Sequence, residues 1–156
     1  MRASTQDVSY ANKQLGFARG AHLLRVSLSY SPGTTLHFES YERTNREFEI
    51  RLANIEITHG TGHVWPSADH DDAHQAGQLW RGDSQAGDAA AHLIALLRAG
   101  PVRGAVASTD GILAITFANK ARIRALPEDN YEGWELDGPK GLKIISCPGG
   151  ELAIWT

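Results

Sequence analysis

Cysteine and methionine are almost missing from this chain, with one of each in 156 residues. The lone Cys147 excludes an internal disulfide framework and a zinc site made of cysteine alone. No stretch of 18 consecutive apolar residues occurs, which excludes a membrane-spanning helix. A basic start followed by an apolar run is lacking at the N-terminus, so the expectation is a cytoplasmic protein without a secretion signal. Surplus basic charge is missing too: 15 Lys and Arg stand against 18 Asp and Glu, for a formal net charge of -3. With no basic stripe along the chain, nucleic acid is not expected as a ligand. Gly60-Thr61-Gly62 has neither a third glycine nor a phosphate-binding lysine, and no nucleophile elbow is present. No catalytic residue is assigned, and an enzyme is not expected.

What is present is hydrophobic patterning on the scale of one ordinary domain. Residues 1–20 are polar and weakly patterned and read as a loose lead-in to a domain over 21–156. Leu24, Val26, Leu28 and Tyr30 alternate with polar residues, as in a strand with one buried face. Ser31-Pro32-Gly33 turns the chain into a return strand through Leu36 and Phe38. Phe48, Ile50 and Leu52 form a third alternating run, while Ile55 and Ile57 fall on the opposite parity. That change predicts a bulge or bend near Ala53-Asn54. One main helix is expected near residues 85–99. Ser84 is its cap, Ala90, Leu93, Ile94 and Leu97 recur at helical spacing, and Gly100-Pro101 stops it. Short alternating segments separated by Gly, Pro, Asn and Asp turns fill the rest. The expected class is α+β, mostly antiparallel β meanders of about eight or nine strands around that helix.

Two segments carry candidate chemistry. Residues 59–82 form a long loop rich in His and Asp, where His59, His63, His70 and His74 pair at four-residue spacing. Such pairs can chelate zinc, although no Glu follows a His as it does in metalloproteases. Spacing alone favours a solvated polar loop, so no metal and no cofactor is expected, with zinc binding and a pH-sensitive loop as the alternatives. The second segment, Glu128 to Asp137, holds five carboxylates and no basic residue, with Tyr131 and Trp134 among them. An acidic patch with an aromatic anchor suits a basic partner surface. The candidate partner-binding residues are Asp129, Tyr131, Glu132, Trp134 and Glu135. A plain alternative is a solvated turn in which the aromatics merely fill the sheet. Cys147, beside Ile144, Ile145 and Pro148, has no electropositive neighbour and is expected to be structural.

The tail reads Tyr131-Glu132-Gly133-Trp134-Glu135-Leu136-Asp137-Gly138-Pro139, then Gly141-Leu142, then Pro148-Gly149-Gly150-Glu151-Leu152-Ala153-Ile154-Trp155. It resembles a family of small bacterial proteins of unknown function that end in such a string, and the upstream order of elements is similar over residues 20–156. The resemblance implies a fold and no catalytic residues. Small acidic bacterial proteins of this kind are often immunity partners of secreted toxins, so the analogy implies a non-enzymatic protein that occludes a cognate toxin's active site. Two other classes stay open: a metal-binding protein or metal-dependent enzyme built on the loop from His59 to His74, and a structural module whose strands pair with a second copy.

Overall fold

A computed structural model describes residues 2–28, 34–40, 47–66 and 84–156, with the side chains of 84–89 outside the description. The Ser31-Pro32-Gly33 turn, Tyr30, His70, His74, the aspartates between them and the capping side chain of Ser84 lie outside the described residues. The α+β class holds. Among the described residues the strands are β1 (His22–Ser27), β2 (Thr34–Glu39), β3 (Glu47–Leu52), β4 (Ile55–Thr58), β5 (Val64–Trp65), β6 (Val102–Ala107), β7 (Leu113–Phe117), β8 (Arg122–Ala125), β9 (Trp134–Asp137), β10 (Lys143–Ser146) and β11 (Leu152–Trp155). They pair antiparallel in two sheets, in the orders β1-β2-β3-β9-β10-β11 and β5-β4-β8-β7-β6.

The predicted break at Ala53-Asn54 is where the chain passes from one sheet into the other. Leu52 ends β3 in the six-stranded sheet, and Ile55 begins β4 in the five-stranded one. The β8–β9 passage crosses beside it, tied by Leu126 N–H donating to Asn54 O at 3.0 Å and Ala53 N–H to Gly133 O at 3.1 Å. Two residues between the apolar runs flip the parity, so Phe48, Ile50, Leu52, Ile55 and Ile57 all face one interior. There Phe38 stacks on Phe48 with centroids 4.5 Å apart, and Phe17 meets Phe48 edge-on at 5.1 Å.

The expected helix is α2 (Ser84–Ala95), continued by a 3₁₀ turn over Leu96–Arg98, and it buries Leu93 and Leu96. A second helix, α1 (Thr5–Gln14), occupies the segment read as a loose lead-in. Ser4 caps it, accepting the Asp7 N–H at 3.1 Å. Its inner stripe of Val8 and Ala11 is continued by Leu15 and Ala18 in the 3₁₀ turn Leu15–Ala18 that follows. Two alanines in four positions bury little apolar area, so the stripe is faint in a hydropathy pattern.

β1 also differs from expectation. Its register to β2 shifts between Leu23 and Arg25, so Leu23 is buried while Leu24 stands out. Leu28 is half exposed, and Val26 packs on the core. The bulge reverses the face that strict alternation assigned to Leu24.

Candidate binding surface

The acidic segment is shaped by its two ends. Gly133 is buried, and a Cβ there would lie 2.5 Å from Leu126 O, so glycine lets the loop close against its own base. Gly133 N–H donates to Ser146 O at 3.0 Å, and Gly149 N–H donates to Glu128 O at 2.9 Å. Glu128 is held by a hydrogen bond from the Asn54 amide. Burial, then the neighbouring Asp129 charge, pushes its carboxyl above the ordinary range. Between these anchors Asp129, Asn130, Tyr131 and Glu132 are exposed, Tyr131 to 73%.

Trp134 and Glu135 do not join that surface. Trp134 is 1% exposed, and its indole N–H donates to Gly111 O at 2.7 Å, so the residue expected at a partner surface belongs to the core. Glu135, the next residue along the strand, points to the opposite face. There it meets Arg51 at 2.5 Å and Lys143 at 2.6 Å. Of the five residues proposed from sequence, the structure gathers Asp129, Tyr131 and Glu132.

The rest of the tail string has a packing explanation. Gly111 (φ +80°) and Gly150 (φ +93°) sit back to back, and a Cβ on Gly111 would lie 2.5 Å from Gly150 Cα. Ser146 Oγ joins the Trp134 indole on Gly111 O, at 3.3 Å. The Pro-Gly-Gly turn, the Asp110-Gly111 turn and Trp134 thus form one clamp. Trp155, at the end of edge strand β11, is half exposed instead of filling the interior.

His59 and His63, named with His70 and His74 as candidate ligands of a metal that was not the leading expectation, meet a residue that sequence reasoning missed. His92, on α2, places Nδ1 2.7 Å from His59 Nε2, and Trp65 stacks on its ring at 5.2 Å. The His63 centroid lies 6.1 Å from that of His59 and 6.0 Å from that of His92. Burial, then His92, then His63, holds the His59 pKa below its ordinary value. Among the described residues no group of three or more His, Cys, Asp and Glu is arranged to hold a metal ion. Cys147 is half-buried. Burial first, then the charges of Glu132 and Glu151, pushes its thiol up, away from nucleophilic character.

The outer face of the six-stranded sheet carries a further set of polar contacts. Arg51 and Lys143 both bridge Glu135 and Asp137 there. His37 Nδ1 lies 2.8 Å from Glu49 Oε1, and its Nε2 lies 3.3 Å from Ser27 Oγ.

Residues 17–156 match the model of a family of unknown function, DUF6188. The chain belongs to this family. The matched segment takes in both sheets and α2 and begins after α1. No curated protein and no solved structure matches the chain. Among the described residues no helix is long and apolar enough to cross a membrane.

Proposed function

We propose that this family member is a protein-binding module, an immunity protein that covers the active site of a cognate bacterial toxin with the 129–132 loop. Occlusion, on this reading, involves no chemistry at the loop itself. The observation that carries it is Tyr131, 73% exposed between the exposed carboxylates of Asp129 and Glu132. A large aromatic held out in water on a braced loop gains its full hydrophobic and stacking contribution only when a partner covers it. The flanking charges suit a cationic cleft, such as one that binds nucleic acid, and opposite potentials speed encounter.

The test is growth rescue. The polypeptide encoded beside this gene is expressed with and without this chain, and growth is followed. Toxicity relieved by the wild-type chain, and far less by Tyr131→Ala, is the expected result. Truncating an anchor of this kind costs about 2 kcal/mol or more, roughly thirtyfold in Kd. Reversing charge with Glu132→Lys should mainly slow association and flatten its salt dependence. Toxicity without relief, or equal relief by Tyr131→Ala, overturns the reading.

A further inference from the structure

The open face of the six-stranded sheet carries a second arrangement, which goes beyond the binding reading and does not depend on it. Ser27, His37 and Glu49 lie on the adjacent strands β1, β2 and β3. In the register Arg25 pairs with His37, which pairs with Glu49, while Ser27 is two residues from Arg25 on the same strand. Glu49 and Ser27 approach different imidazole nitrogens. Glu49 Oε1 stands 2.8 Å from Nδ1, and Ser27 Oγ stands 3.3 Å from Nε2. With Nδ1–H donating to that carboxylate, the Nε2 lone pair faces the hydroxyl. This tautomer and direction are what a serine nucleophile requires.

The surroundings are polar and mostly acidic. His37 and Glu49 line an open hollow of about 580 Å³ with Arg25, Glu39, Glu47 and Asp137, and Ser27, outside that lining, meets it through His37. Arg25 Nη2 lies 3.3 Å from both ring nitrogens, so the guanidinium rests against the imidazole. A structural ion pair between His37 and Glu49 would need no hydroxyl on the far nitrogen.

We propose that Ser27, His37 and Glu49 form a hydrolytic site for small carboxylic esters that carry no negative charge. Ser27 Oγ forms a bond to the ester carbonyl carbon while its proton passes to His37 Nε2. The tetrahedral intermediate expels the alkoxide, which leaves as the alcohol with that proton. Water then attacks the acyl-serine, gives a proton to Nε2, and releases the acid as Ser27 recovers it. Ser27 and His37 are the catalytic residues, and Glu49 is a positioning residue.

The full chain is treated with a fluorophosphonate, and the adduct is located by peptide mass. p-Nitrophenyl acetate hydrolysis is followed across pH, with circular dichroism confirming the fold of each variant. The expected adduct is on Ser27. Ser27→Ala should abolish both adduct and hydrolysis, and His37→Gln should lower the rate by about a hundredfold or more. Glu49→Gln should change the pH profile as well as the rate, with Glu49→Asp retaining most of the wild-type profile. No adduct on Ser27, or hydrolysis unchanged in either Ser27→Ala or His37→Gln, overturns the proposal. Growth rescue plays no part in this assay, so the binding reading and the hydrolytic site can each fail alone.

Discussion

Single residues in this chain divide by whether their neighbours could yield. Trp134 is surrounded on all sides, and its indole N–H is committed to Gly111 O. Trp134→Phe keeps most of the apolar volume and removes the donor, so a loss of about 1–2 kcal/mol in urea unfolding is expected. Gly111→Ala faces two obstacles: a left-handed backbone angle of +80°, and Gly150 Cα at 2.5 Å from the new Cβ. A loss of at least about 2 kcal/mol is expected, and an unchanged urea midpoint would show that the two turns separate freely. Tyr131→Ala is the contrast, with stability expected within about 0.5 kcal/mol of wild type because the ring is exposed. Sequence placed Tyr131 and Trp134 together three positions apart. Which one is a surface anchor follows from the buried Gly111, more than twenty residues upstream, to which no local pattern points.

At the scale of elements, α1 shows what a weak local signal can hide. It packs on β6 and β11, edge strands of different sheets, and closes one flank of the molecule. Asn12 makes the closest tie. Its amide donates to Ala107 O at 3.0 Å, and its carbonyl accepts the Ala107 N–H at 2.7 Å. The side chain thus supplies the two hydrogen bonds that a neighbouring strand would offer, and it blunts an exposed edge beside Val106. Asn12→Asp keeps the acceptor but sets a carboxylate against a carbonyl oxygen. Asn12→Ala loses both partners. Both should cost about 1–3 kcal/mol. Hydrogen exchange at the Ala107 amide separates them: it should quicken in Asn12→Ala and stay slow in Asn12→Asp. The strands and α2 were legible because alternation and helical spacing involve large apolar residues. For α1, alanine and a side-chain amide do that work, and neither registers as hydrophobic periodicity.

For the molecule as a whole, pH should act through the joint between α2 and the β4–β5 turn, where His59 meets His92. Because the folded pKa of His59 is depressed below 6.5, the unfolded chain takes up that proton first as pH falls. The stability associated with neutral His59 is therefore present above about pH 6.5 and is lost progressively below it. Urea midpoints at about pH 7.5 and about pH 5.5 should differ more for wild type than for His59→Gln. Equal differences would remove His59 as a source of pH sensitivity. The four-residue spacing of His59 and His63 was visible in the sequence, whereas His92 was not linked to them. It is brought in by the way α2 docks across a segment of the chain, and that is a tertiary fact.

Local sequence determined what short-range physics can determine. Alternation set the strands, Gly and Pro set the turns, and the parity change at Ala53-Asn54 set the corner. An exposed acidic stretch was also written there, since five carboxylates with no cation among them in sequence cannot all be buried unpaired. Tertiary structure decided the rest. It buried Trp134 and left Tyr131 outside, paired Glu135 with Arg51 and Lys143, and brought His92 to His59. It also lined up Ser27, His37 and Glu49 across three strands. The physical reason is common to all of these. A strand's sequence specifies which face each side chain takes, but the neighbours on that face come from other strands, and their register is set only when the sheets assemble.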